Sequence, residues 1–417
     1  MKHQAVKHIG VIATVAILAG SALAQNEERL KALEAEMANT QAELAALKGE
    51  RNDLAAVTQE ESKLRFGGYG EIHANWVEGG NDLLDIHRLV MYMGLDFNDW
   101  IKLSSEIELE HASTDEEYLL IEQLYVDFLF ADSVNIRAGR VLAPLGIVNQ
   151  NHEPTLFNGV ERPNVEKYII PSTWMLDGVG LFGSPLSWLN YEIYATAGLN
   201  ESGFNGKEGV RGGRMKGRPG LNEGALSGRI DVFPLMSESQ DLRLGFSGYY
   251  GGTDNKNKGG SNSNTNNVST DNTFTMVSAD FEYNLSRVHL RGVVALGENS
   301  DSSNLNAAYE PTDGAIGEQI FGWYLEAGAD VLPAAWKTGK LKDSSLIPFV
   351  RYEEYDTQHS MADGDAADAK YDRSEITLGA SWLLTRNLVL KGDVQFCDTA
   401  ASGSTTKYNL GMGWVIN

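Results

Sequence analysis

From residue 64 onward the sequence alternates. Ile101, Leu103, Ser105, Ile107 and Leu109 interleave with Lys102, Ser104, Glu106, Glu108 and Glu110. The same period of two runs through Leu242–Tyr250, Glu375–Leu384 and Lys407–Ile416. Successive side chains of a strand point to opposite faces, so each segment has one apolar and one polar face. A segment of about ten residues tilted near 45° crosses a bilayer. Sixteen such segments are expected, the first near 65–76 and the last near 405–416. The number is even, as a closed bacterial barrel requires.

The connections alternate between long and short. The expected long ones are 77–86, 112–118, 143–176, 199–224, 252–272, 298–316, 357–372 and 398–404. Most of the others are tight, with 332–345 a medium turn. A transmembrane barrel keeps its long loops on the external rim and its short turns on the periplasmic one. A soluble sandwich would bury the apolar faces against a second layer. A propeller would carry a blade repeat of roughly 40–50 residues, and no such repeat is present. The fold class expected is all-β, a 16-stranded antiparallel transmembrane β-barrel preceded by a short coiled-coil helix.

The N-terminus divides into two pieces. Lys2 and Lys7 precede the short apolar run Ile9–Ala19, and Ala22-Leu23-Ala24 is a small-x-small cleavage site. Residues 1–24 read as a secretory signal peptide. In residues 25–63, Leu30, Leu33, Met37, Thr40, Leu44, Leu47, Arg51 and Leu54 are spaced alternately by three and four. That is a coiled-coil seam, which needs partner helices to bury so narrow a stripe. The expected organisation is signal peptide 1–24, periplasmic coiled coil 25–63 and barrel 64–417.

Charge excludes one function class. The chain carries 34 Lys and Arg against 57 Asp and Glu, net −23. A nucleic-acid binder needs a basic face to neutralise phosphates. The lone Cys397 allows no intrachain disulfide and no cysteine metal cluster. Asp363, Asp365 and Asp368 lack calcium-loop spacing, so no metal site and no cofactor is expected.

With the apolar faces toward lipid, the polar faces line a lumen. Arg137, Arg243, Arg291, Lys391 and Lys407 fall on that face, with acidic residues between them. The loop 143–176 has four prolines and is rich in apolar residues, among them Leu156, Phe157, Val160, Ile169, Ile170 and Trp174. Those residues need a surface to pack on. Folding inward would supply it and narrow the pore; a subunit interface is the other possibility. Arg162 and Lys167 on this loop, with Arg137, Arg140, Arg243 and Arg291, are the expected constriction. Strict alternation lets only one of Arg137 and Arg140 face the lumen unless a bulge intervenes. Loop 199–224 holds Arg211, Arg214, Lys216 and Arg218, read either as an external anion funnel or as a site for lipopolysaccharide phosphates or a solvated loop.

The run Ile136–Ile147 (IRAGRVLAPLGI), followed by Gly159–Pro163 (GVERP) and Tyr168–Pro171 (YIIP), resembles the phosphate-selective porin O and P family. So does the order of signal peptide, short coiled coil and barrel. The resemblance implies a trimeric, sixteen-stranded outer-membrane channel. It also implies preference for phosphate or polyphosphate, through cationic side chains near a constriction built by loops that include the third.

The expected function is passive diffusion of small hydrophilic solutes and ions, including phosphate or other anions, through a water-filled channel. The expected partners are two further copies of the chain, outer-membrane lipid and lipopolysaccharide, and the cell wall through the coiled coil. An outer-membrane tether or adhesin with a plugged barrel is the alternative. A barrel-embedded hydrolase would need a nucleophile beside a base. His73, His87, His111 and His289 lie on strands, but no nucleophile motif accompanies them, and the chain is not expected to be an enzyme.

Overall fold

The computed structural model describes residues 63–111, 119–255 and 270–416, together with Lys31, Glu36, Asn39 and Thr40. These last four are helical, and Thr40 Oγ1 donates to Glu36 O at 2.8 Å. The rest of the signal peptide and coiled-coil seam lies outside the described residues.

Residues 64–416 form sixteen strands. They are β1 (Leu64–Val77), β2 (Leu83–Asp96), β3 (Ile101–Glu110), β4 (Leu119–Ala131), β5 (Val134–Leu142), β6 (Met175–Leu186), β7 (Leu189–Ala197) and β8 (Gly224–Met236). The second half comprises β9 (Gln240–Gly252), β10 (Thr273–Leu285), β11 (Val288–Asn299), β12 (Gln319–Ala329), β13 (Ser345–Ser360), β14 (Asp372–Thr385), β15 (Leu388–Thr399) and β16 (Gly403–Ile416). Each pairs antiparallel with its sequence neighbour, and β1 closes on β16 from Gly68↔Ile416 to Val77↔Lys407. Closure removes both sheet edges, so no backbone group is left to lipid.

Burial follows the alternation. Leu226, Ile230, Phe246, Val277, Val294, Leu325, Ile376 and Leu410 face outward and are exposed. The lumen rows hold Glu71, Arg88, Arg229, Asp280, Glu326, Arg351, Glu353 and Glu375, all buried. Phe97, Trp100, Phe130, Trp188 and Trp336 are exposed near the rim with short turns, the position of an interfacial aromatic girdle.

Two connections expected to be long are short. β1 and β2 remain paired to Asn75↔Leu83, and β15 and β16 to Thr399↔Gly403. A register shift between Glu71 and His73 breaks the period on β2, which hides its first residues from a search for alternation. On the same rim the two longest connections are L3 (143–174), between β5 and β6, and L4 (198–223), between β7 and β8.

Candidate functional site

L3 folds into the lumen. Leu145, Val148, Val165, Ile169, Ile170 and Trp174 are fully buried. They pack on inward-facing apolar side chains of β7 and β9–β13, including Tyr194, Tyr249, Met276, Val293 and Tyr324. The Trp174 and Tyr249 ring centres are 4.6 Å apart. The wall is therefore not polar all round, as alternation alone implied. Its apolar inner patch is the surface that the apolar loop requires.

Buried backbone needs partners away from water, and wall side chains supply them around the barrel. Arg88 donates to His152 O (3.0 Å), Arg229 to Gly146 O (2.9 Å) and Arg291 to Leu156 O (3.1 Å). Val160 N donates to Asp393 (2.7 Å), Val165 N to Glu353 (3.0 Å), and the Asn164 amide to Glu375 (2.8 Å). Within the loop, Glu166 accepts from Ile147 N (3.0 Å) and Val148 N (2.6 Å), and from the Tyr324 hydroxyl (2.8 Å). Gly146, at φ +67°, passes so close that a Cβ would stand 2.7 Å from a Glu166 oxygen. Much of the lumen charge thus serves as a cradle for L3.

L4 closes over L3. Arg211 donates to Lys167 O (3.1 Å) and Ser172 O (3.2 Å). Arg214 binds Ser172 O, Thr173 O (3.1 Å) and Thr173 Oγ1 (2.8 Å). The external funnel therefore needs correction. Arg211 and Arg214 are half-buried clamps on L3, while Lys216 and Arg218 remain exposed.

Above L3, toward the rim of long loops, lies a vestibule of about 520 Å³. Arg162, Lys167, Arg211, Lys407, His73 and Tyr168 are among its lining residues. On the other side of L3 is a cavity of about 240 Å³ that includes Glu282, His289 and Ser381. Phe157 lines both. It is buried, with the Lys391 ammonium 3.6 Å from its ring centre. Phe157 and Lys391 thus stand at the divide between the two spaces.

The sequence-derived cations sort by partner. Arg137 is held bidentately by Asp127 (2.7 and 2.9 Å) and lines a different cavity, with Asn135 and Glu192. Arg140 pairs with Asp177 (2.6 Å). It stands opposite Leu124, in the outward row, and not at a constriction. Arg243 holds Asp231 (2.8 Å) and Glu282 (2.7 Å), and Arg291 holds Glu326 (2.8 Å). By contrast Arg162 has only Ser172 Oγ at 3.5 Å, and Lys167 lies 5.5 Å from the centre of the Tyr168 ring. Neither has an ion-pair partner among the described residues.

Burial lowers the pKa of Arg162, Arg211 and Arg214. The next cause for each is a neighbouring cation: Arg88 for Arg162, Arg162 for Arg211, and Arg211 for Arg214. Three desolvated guanidinium groups that repel one another would each gain from an anion among them. Of the expected site residues, the fold brings Arg162, Lys167, Arg211 and Arg214 together and sends Arg137, Arg140 and Arg243 elsewhere. Arg373 was not anticipated. Its guanidinium lies beside the stacked Tyr168 and Tyr355 rings, 4.7 and 4.5 Å from their centres. Its residue type and its place on an alternating strand were the only signals available.

The family model for phosphate-selective porin O and P matches residues 69–409. The chain belongs to that family. A protein of Aquifex aeolicus (strain VF5), described as uncharacterized, is 28% identical over 375 residues, covering 86% of this chain and 81% of its own. Among solved structures, Salmonella typhi OmpF in complex with daunomycin superimposes with a TM-score of 0.55 at 13% identity, covering 84% of this chain and 97% of that one. An anion-selective porin from Comamonas acidovorans gives 0.53 at 14% identity, covering 85% and 100%. This porin O and P chain forms an outer-membrane channel, and the closed barrel with exposed apolar staves fits that setting. At these identities the solved structures show the fold alone.

Proposed function

We propose that this channel passes small anions, with phosphate-class oxyanions held in transit by Arg162, Lys167 and Arg211. The sorting of cations carries the reading. Arg88, Arg137, Arg229, Arg243, Arg291 and Arg351 each hold a carboxylate. Arg162, Lys167 and Arg211 hold none among the described residues, and they converge with Lys407 on one space. Two of the vestibule carboxylates are themselves engaged, Glu71 by Arg88, and Glu161 by His73 (3.3 Å) and Asn75 (3.1 Å), while Glu110 also lines the space. Local charge near the narrowest point sets ion preference, so the acidic total does not oppose this. The chain works as a homotrimer, with the coiled coil in the periplasm in reach of the cell wall. Lys216 and Arg218, exposed on L4, contact lipopolysaccharide phosphates.

The test is a reversal potential across a KCl gradient in planar bilayers. We expect an anion-signed potential. Arg162→Ala with Lys167→Ala should cut the anion-to-cation permeability ratio roughly fivefold, equivalent to about 1 kcal/mol for a charge pair at 4 Å in water. A cation-signed potential would keep the porin and discard anion selection. A folded barrel without conductance would favour the tether reading, for which the passage of L3 across the lumen is the supporting observation.

A further inference from the structure

We propose that Glu106, Glu122 and His152 bind one divalent transition-metal cation of the zinc or manganese type, which staples L3 to the barrel wall. The site is independent of which solute the channel carries.

The three ligands arrive by different routes. Glu106 lies on an inward row of β3. On β4 the register jumps, with Glu106 opposite Gln123 and Ile107 opposite Ile121. Glu122 is the extra residue of a β-bulge, a device that re-aims a side chain. It is fully buried, although its neighbour Ile121 is exposed. L3 then delivers His152 from the opposite side. The His152 Nδ1–H donates to Asn149 O at 2.9 Å, which leaves the Nε2 lone pair facing the carboxylates. A backbone carbonyl commonly fixes a metal-binding imidazole in this way.

The spacing fits a cation. Nε2 is 3.3 Å from Glu122 Oε2 and 3.7 Å from Glu106 Oε1. One ligand atom from each residue lies within 4.8 Å of the others. Ligand atoms held about 2.0–2.2 Å from one metal at 90–109° stand roughly 3–3.6 Å apart. A small contraction would complete the shell. One imidazole with two carboxylates suits zinc, manganese or iron(II) better than magnesium, which prefers oxygen ligands.

A second observation points to a missing positive charge. Glu106, Glu122 and His152 are at most 3% exposed. Among the described residues, Oε1 of Glu106 and Oε1 of Glu122 have no hydrogen-bond partner, and neither has Oε2 of the adjacent Glu153. The nearest guanidinium, Arg88, is already committed to Glu71, Glu108 and the His152 carbonyl. Buried carboxylate oxygens without partners are costly, and a divalent cation would satisfy one from each glutamate at once. Outer partners are in place, since Gln123 donates to Glu106 Oε2 (2.5 Å) and Tyr92 to Glu153 Oε1 (3.1 Å). A cavity of about 350 Å³, lined in part by Glu106, Gln123 and Tyr92, reaches the Glu106 side of the cluster.

The experiment uses the full chain, folded in detergent. It is stripped with EDTA, dialysed against zinc, manganese or magnesium, and assayed for metal by mass spectrometry. The rim group Asp85, His87 and His111 also brings one ligand atom from each residue within 4.8 Å of the others, so equivalents are compared between variants. We expect Glu122→Gln and His152→Ala each to lose one equivalent of zinc relative to the parent, with affinity at the site reduced at least about tenfold. His111→Ala should keep that equivalent. Hydrogen exchange at residues 149–153 should slow on adding zinc to the parent and be unchanged in Glu122→Gln, which preserves side-chain volume. Equal zinc in parent and Glu122→Gln, or zinc-independent exchange in the parent, would overturn the proposal and leave shared protons as the neutralising charge.

Discussion

Glu166 shows how much one side chain carries. Its two oxygens join both ends of the L3 fold to the wall, through Val148 and Tyr324. Burial pushes its carboxyl up to about 7, against the opposing pull of the Val148 N–H and the Tyr324 hydroxyl. Between the ordinary carboxylate range and pH 7 the native chain therefore holds a proton that the unfolded chain has lost. Linkage then makes stability fall as pH rises through that window. Thermal unfolding followed in detergent from pH 4.5 to 8 should show that decline, and Glu166→Gln should flatten it. Glu166→Ala leaves two buried N–H groups unpaired and should cost about 1–3 kcal/mol for each. A pH-independent parent would refute this account.

Among the elements, L3 and L4 pack as one unit. L3 is stiffened by prolines that fix φ, but its position comes from wall hydrogen bonds and from the Arg211–Arg214 clamp. Removing Arg214 deprives the Ser172 and Thr173 carbonyls of a charged donor, each such bond being worth about 1.5–3 kcal/mol. We expect Arg214→Ala to raise open-channel current noise and to speed hydrogen exchange in residues 165–174, with the barrel strands unchanged. Unaltered exchange there would assign Arg214 to the solute path alone. This loop was legible as an inward-folding segment, because apolar residues and prolines are a poor composition for a solvated loop. Its docking partners were not. Tyr249 and Tyr324 look like ordinary members of a polar row until the apolar loop that faces them is in place.

For the whole molecule the outward apolar belt decides where the protein resides. Val294 lies midway along β11 and faces outward. Val294→Arg should destabilise the barrel by about 2–4 kcal/mol, the cost of a cation near the bilayer midplane. Urea unfolding in lipid vesicles checks the value. A change below about 0.5 kcal/mol would mean that this stave does not meet lipid. Global charge is uninformative at this scale, because carboxylates distributed around the lumen serve the arginines and the L3 backbone.

Strand number, antiparallel order and the lipid-facing rows were determined by the sequence alone, since a period of two and a run of about ten residues are local properties. The tertiary structure alone decided which cations are free. Arg137 and Arg162 are the same residue type, and each lies near glutamates or aspartates in the sequence. The β4–β5 register gives one of them Asp127, and the inward fold of L3 leaves the other without a carboxylate among the described residues. The inward turn of Glu122 was hidden for the same kind of reason. A bulge is a property of the pairing between two strands, and register exists only once they meet.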